Sequence, residues 1–229
     1  MLNLQRVTAL ALTLLAGSIV CKTGNAQEVK SAPGTYDYYL LNMSWSPAFC
    51  DTLKTLTPAE QAARQGSTEC SSPHSFVLHG LWPQNFDGTY PGNCSDRPGP
   101  QRPERYLDMT PDLSLIKHEW AKHGTCTTLS PDAFFSTARQ AYTAVTIPET
   151  LKHVDQQVML APEAILAMFY KANPSFPQGS FALSCGRNTL TAIEACFSRD
   201  AQPIACQNIR TCKANVVKVE PEASSGIVQ

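Results

Sequence analysis

The run His118, Glu119, Trp120, Ala121, Lys122, His123 sets four ionisable side chains within six residues. In a helix, about 100° of turn per residue decides which of them share a face. With Glu119 as the origin, His123 falls at about 40°, Lys122 at about 300° and His118 at about 260°. One face about 140° wide then carries all four, and Trp120 and Ala121 point the other way, into whatever the helix packs against. An unperturbed imidazole titrates at about 6.5, so it can take or give a proton near neutral pH. One more histidine from elsewhere in the chain would complete an acid/base pair.

His79 is the candidate. The segment Ser75 to Gln84 opens with aromatic and branched residues, so Phe76 to Leu78 reads as a buried strand. Gly80 and Pro83 are expected to end regular structure, which leaves His79 at the strand's end, facing a cleft. Around these segments the chain offers an aromatic, strand-like stretch from Tyr36 to Trp45. Thr57, Pro58 and Glu60 form a capping box that starts a short helix. Thr110-Pro111-Asp112 leads into the ionic helix, and Ser130-Pro131-Asp132 starts another through Phe134, Ala138 and Tyr142. A further helix runs from Pro162 to Ala172. Phe181 to Arg187 and Leu190 to Ser198 read as two strands joined by a turn at Asn188, and Val216 to Val219 as a last strand. Pro91 to Pro103 is a loop, and the tail after Glu220 is loose. Helices and strands without regular alternation imply an α+β class.

The chain has 229 residues and 43% hydrophobic content, enough for one sizeable core, and no linker divides it. Its formal net charge of -1 argues against a tight, static nucleic-acid binder, which usually carries a basic face. Val7 to Val20 is an apolar run too short for a comfortable membrane span, and Gly24-Asn25-Ala26 offers small residues for a signal peptidase. Residues 1–26 are therefore expected to be a signal peptide, and 27–229 the mature domain, with its core over 35–215. A lipid anchor on Cys21 fits poorly, because Val20 precedes it. The signal segment holds Arg6 and Lys22 and no acid, so the mature chain has 16 basic against 19 acidic side chains, a charge of -3. Of nine cysteines, eight lie beyond the signal, an even count that implies disulfides in an exported chain. Eight cysteines permit 105 pairings, and spacing does not choose among them.

Phe76 to Gln84 (FVLHGLWPQ) followed by His118 to Cys126 (HEWAKHGTC) resembles the two active-site segments of the T2-type ribonucleases, an endoribonuclease family. The likeness extends to the cysteines and covers roughly residues 35–215. It implies an α+β single domain, an antiparallel sheet with helices packed on it. It implies the disulfides Cys50–Cys70, Cys94–Cys126, Cys185–Cys212 and Cys196–Cys206. It implies that His123 is the base and His79 the acid, that Glu119 and Lys122 stabilise the transition state, and that His118 binds phosphate. Trp82 and Tyr90 match residues that stack on a base. Gln84 stands where some members carry an acid that contacts the base, so no base preference is carried over.

The chemistry implied is RNA cleavage by its own 2′-hydroxyl, giving a 2′,3′-cyclic phosphate and a free 5′-hydroxyl. The substrate is single-stranded RNA, with low base specificity; DNA lacks the attacking hydroxyl and is not cleaved. No cofactor, metal or membrane anchor is implied, and the mature protein is expected to be a periplasmic or secreted monomer. Two other readings compete. A noncatalytic RNA- or partner-binding protein on the same scaffold would bind RNA uncut. A zinc hydrolase needs its histidines at i and i+4, whereas His118 and His123 stand at i and i+5. His74 and His153 lie outside the motifs and read as surface or structural.

Overall fold

The computed structural model describes residues 26–57 and 68–222. The signal segment up to Asn25, the capping box beyond Thr57 and the tail from 223 lie outside the described residues. Within them the strands are β1 (Gln27–Val29), β2 (Tyr38–Trp45), β3 (Phe76–Gln84), β4 (Thr89–Pro91), β5 (Val158–Leu160), β6 (Phe181–Gly186), β7 (Thr189–Phe197) and β8 (Val217–Val219). The helices are α1 (Ser46–Lys54), α2 (Leu113–Lys122), α3 (Pro131–Ala144) and α4 (Pro162–Ala172). The main sheet runs β3-β2-β7-β8-β5, with β6 also paired to β7. It is antiparallel except at a single β7–β8 pairing, Thr189 with Lys218. The α+β single domain is therefore the architecture found, and α1, a helix of half-polar sequence, was not expected from the pattern.

Alternation along β2 sorts the molecule into two sides. Tyr39, Leu41, Met43 and Trp45 join a core with Ile116 and Trp120 of α2, Phe134 and Ala138 of α3, and Ile165 and Phe169 of α4. Tyr38 and Leu40 face the opposite side, where a smaller cluster forms with Cys196, Trp82, Cys206 and Ile209. Local signals start the helices. The Asp112 carboxylate accepts from the Ser114 and Leu115 amides at 2.7 and 3.1 Å, and the Ser130 hydroxyl accepts from Ala133 at 3.3 Å. Pro131 and Pro162 open α3 and α4, where a missing N–H costs nothing. Arg187 and Asn188 both take positive φ, 50° and 60°, in the tight β6–β7 turn.

β3 overturns the expectation that Gly80 and Pro83 end the strand: it continues to Gln84. As the sheet's outer strand it can hold Pro83, whose missing N–H leaves no central ladder bond unmade. Its register slips once. Asn42 pairs with Gly80 and Met43 with Leu78, so His79 is an extra residue, a bulge in mid-strand rather than a strand end.

Four disulfides join Cys50 to Cys70, Cys94 to Cys126, Cys185 to Cys212 and Cys196 to Cys206. Cys94–Cys126 ties the chain after β4 to the 3-10 turn Gly124–Cys126 that follows α2. Arg97 clamps the same turn, donating to the carbonyls of Thr125, Thr127 and Leu129 at 3.1, 2.6 and 2.8 Å. Trp120 Nε1 donates to the Arg97 carbonyl at 2.9 Å, so the end of α2 is held on both sides.

Candidate active site

α2 lies beside the outer strand β3, and the side chains where they meet form the site. The helix does not present an ionic front opposite a packed back. Ile116, Glu119 and Trp120 are its buried residues, and His123, its C-cap, is 7% exposed. That is an i, i+3, i+4, i+7 stripe, so Glu119 and His123 stand on the packing side with Trp120. Ala121, expected to face inward, is exposed, as is His118.

Glu119, 2% exposed, is the centre of the site. Trp82 Nε1 donates to its Oε2 at 2.8 Å, and His79 Nε2 lies 3.7 Å from its Oε1. Gly80 makes this approach possible, because a Cβ there would overlap Glu119 Oε2 and Trp82 Nε1. Burial drives the Glu119 carboxyl up to about 8, against the pull of the Trp82 bond. Burial lowers His79 as well, and His118 nearby lowers it further. Both shifts favour neutral groups, so the His79–Glu119 contact is a neutral pair rather than a salt bridge.

Trp82 gathers the other parts. Its ring is stacked on His123 at 5.4 Å and 29°, and meets His79 edge-on at 5.7 Å and 84°. Burial, followed by the charges of Lys122, His118 and His79, pushes His123 down to about 3. His123 is thus a neutral imidazole, and its Nδ1 is buried with no hydrogen-bond partner among the described residues. His79 Nδ1 contacts the Ser44 hydroxyl at 3.1 Å, which orients the ring from β2.

Lys122 does not pair with Glu119, as i, i+3 spacing suggests. It binds the Glu28 carboxylate and lies 5.9 Å from the centroid of the Tyr90 ring. Glu28 belongs to β1, which runs parallel to β4 with Glu28 beside Tyr90, and it also accepts from Asn93 Nδ2 at 3.0 Å. Strand β1 was not legible in the sequence, since three residues carry no period.

A cleft of about 350 Å³ opens next to this cluster, lined by Trp82, Gln84, Tyr90, Lys122 and His123 together with Ser184 and Glu194. The structure therefore brings together His79, His118, Glu119, Lys122 and His123, and sets Trp82, Gln84 and Tyr90 in the lining of the cleft. His74 and His153 lie outside it, with Ser72 and Glu222 as partners. Sequence reasoning missed Ser44, Glu28, Asn42 and Glu194, all contributed by strands with no motif around them.

Comparison with known proteins identifies the family and the fold. Residues 36–206 match the model of the Ribonuclease T2 family. A ribonuclease of Aeromonas hydrophila is 38% identical over 115 residues, covering 50% of this chain and 48% of its own. A probable ribonuclease of Haemophilus influenzae is 28% identical over 191 residues, 78% of this chain and 64% of its own. The chain thus spans less than two thirds of the length of either. Among solved structures, an RNase-related protein from Calystegia sepium superposes with a TM-score of 0.63 at 22% identity, over 81% of this chain and 97% of that one. A point mutant of RNase MC1, in complex with 5′-UMP, gives 0.60 at 22% identity, over 80% and 97%. At such identities the likeness concerns the fold.

Proposed function

Because the chain belongs to the ribonuclease T2 family, we propose that it is a metal-independent endoribonuclease that cleaves single-stranded RNA by transesterification. The observation that carries this reading is Trp82, whose one indole touches His79, His123 and Glu119 and so holds two imidazoles and a buried carboxyl around one point.

His123, kept neutral first by burial and then by the neighbouring Lys122, takes the proton from the ribose 2′-hydroxyl. The 2′-oxygen attacks phosphorus, and the bond to the 5′-oxygen breaks. His79 gives that oxygen its proton, leaving a 2′,3′-cyclic phosphate and a free 5′-hydroxyl. Charge gathers on the phosphoryl oxygens between these events. Lys122 supplies positive charge there, and His118 a further group to bind the phosphate. Glu119, held protonated at neutral pH by burial, supplies a hydrogen-bond donor rather than a repelling anion. Trp82 and Tyr90 offer aromatic surface to a base, and Gln84 a side chain that both donates and accepts, which suits low base specificity. DNA, without the 2′-hydroxyl, is not a substrate.

The same reading makes residues 1–26 a cleaved export signal and the mature chain a periplasmic or secreted monomer. Four disulfides suit an oxidising compartment.

The test is to incubate the mature protein with single-stranded RNA in excess EDTA and analyse the ends. Fragments ending in 2′,3′-cyclic phosphate, absent with His79→Ala, are expected. RNA bound but left intact across the pH range would overturn the catalytic reading in favour of a binding protein. His79 is the better position to vary than His123, whose buried ring would leave a cavity under alanine.

A further inference from the structure

Glu194 stands in the middle of β7 among apolar neighbours, on the face turned away from the main core, and is 7% exposed. Nothing in the packing asks for a carboxyl there, and burying one is costly unless it is bonded. It is bonded on one side only. Asn42 Nδ2 donates to Oε1 at 3.1 Å and the Ser184 hydroxyl donates to the same atom at 3.0 Å. Among the described residues no hydrogen bond reaches Oε2. Glu194 and Ser184 line the same cleft as Trp82 and Gln84. Asn42 and Glu194 are direct partners across β2 and β7, so the carboxyl is fixed by its neighbours with one oxygen left for the cleft.

We propose that Glu194 determines base preference: its Oε2 accepts a hydrogen bond from the amino group of adenine or cytosine, and a uracil in the same cleft is disfavoured. This rests on the ribonuclease reading above, with Trp82 and Tyr90 holding the base. Cytosine and uracil have the same size and nearly the same stacking surface. They differ at the ring edge, where cytosine carries an amino donor and uracil a carbonyl acceptor. Burial raises the Glu194 carboxyl while its bonds from Ser184 and Asn42 hold it down; in its ionised form its free oxygen bonds the first and repels the second. A single hydrogen bond sets a gradient rather than an exclusion, so low overall specificity coexists with uracil being slowest.

The experiment compares dinucleoside monophosphates that differ only in cytosine or uracil, at each of the two positions, at pH 7. At one position the wild type should cut the cytosine substrate about tenfold faster in kcat/KM. Glu194→Gln keeps an oxygen for Asn42 and Ser184 and adds an amide donor that a uracil carbonyl can accept. It should bring the ratio to within about twofold while the other position is unmoved. Equal rates for cytosine and uracil in the wild type at both positions would overturn the proposal whether or not the variant folds, and so would a wild-type ratio unchanged in a folded Glu194→Gln. Calorimetric binding of 5′-CMP and 5′-UMP to the wild type separates the two readings. A preference for 5′-CMP in a protein that cuts nothing would sink the catalytic assignment and leave Glu194's role standing.

Discussion

Gly80 and Glu119 touch without an intervening side chain: the carboxyl of Glu119 occupies the space that a Cβ on residue 80 would fill. The glycine is required by this close approach and not by a turn, since it sits within a strand. Gly80→Ala should therefore push Glu119 and Trp82 aside together. Crowding of this kind costs about 1–3 kcal/mol of stability. The loss in kcat/KM should be larger than that, at least about a hundredfold, because Trp82 also sets His79 and His123. Thermal melts and steady-state cleavage measure the two effects, and a Gly80→Ala protein of normal activity would refute the account of the site.

The pH dependence of cleavage should be displaced to the acid side. As a base His123 must be neutral, and its pKa of about 3 leaves it so over most of the range. As an acid His79 must be charged, and burial with His118 nearby holds its pKa below 6.5. The free enzyme's kcat/KM should thus be greatest below pH 6.5 and fall as pH rises through the His79 pKa. A bound phosphodiester favours the charged imidazole, so kcat should fall at higher pH than kcat/KM. An alkaline optimum in kcat/KM would contradict the assignment of His79.

Stability should fall from pH 6.5 to 8. A carboxyl raised in the folded state binds a proton that the unfolded chain has already released. Its stabilising effect is full below the ordinary carboxylate pKa and is lost as pH climbs through the folded value. Burial raises Glu119 to about 8 and Glu69 to about 7. The lowered histidines act oppositely, but only below about 6.5, where the unfolded imidazoles charge. Above that, the carboxyls alone decide the slope. Melts across this interval should lose on the order of 1 kcal/mol, a few degrees in Tm, and Glu119→Gln should flatten the decline. A Tm that rises over the same interval would show that these carboxyls are ionised in the fold.

Removing Cys94–Cys126 should cost about 3–4 kcal/mol if the bridge acts by restricting the unfolded chain over its separation of 32 residues. It should also cost activity, because the Asn93 amide donates to the Lys122 carbonyl at 2.9 Å and Asn93 and Glu28 are bonded to each other beside Lys122. Cys50→Ser/Cys70→Ser, which frees a bridge anchored in α1, is the control and should lose stability with a smaller change in kcat. Equal activity losses in the two double variants would mean that Cys94–Cys126 has no special part in the site.

Much of this was legible in the sequence where a physical signal is local. Asp112, Ser130, Pro131 and Pro162 mark helix starts through their own hydrogen bonds or missing N–H groups, and α2, α3 and α4 begin there. The two histidine segments were legible as a pair. The disulfide pairing came only with the family resemblance, since spacing does not choose among cysteines. What stayed hidden depends on partners distant in sequence. Pro83 reads as a strand breaker until β3 is known to be the outer strand. Glu119 and His123 read as an exposed ionic face until β3 covers them. Glu28 and Glu194 belong to the site only through the strands that pair with β4 and β2.

The bulge at His79 has one more consequence. Leu78 and Leu81 join the core with Met43 and Leu41, while Gly80 and Trp82 lie opposite Asn42 and Leu40 on the other side. With residue 79 skipped, inward and outward positions alternate without a break, and every other pairing of β3 stays as it is. The imidazole is therefore a guest in a strand already complete without it. Trp82 and Gln84, by contrast, are paired in the ladder and can be substituted but not removed without shifting it. Here, deleting His79 altogether should yield a regular, folded and inactive edge strand, a cleaner blank for this chemistry than any replacement.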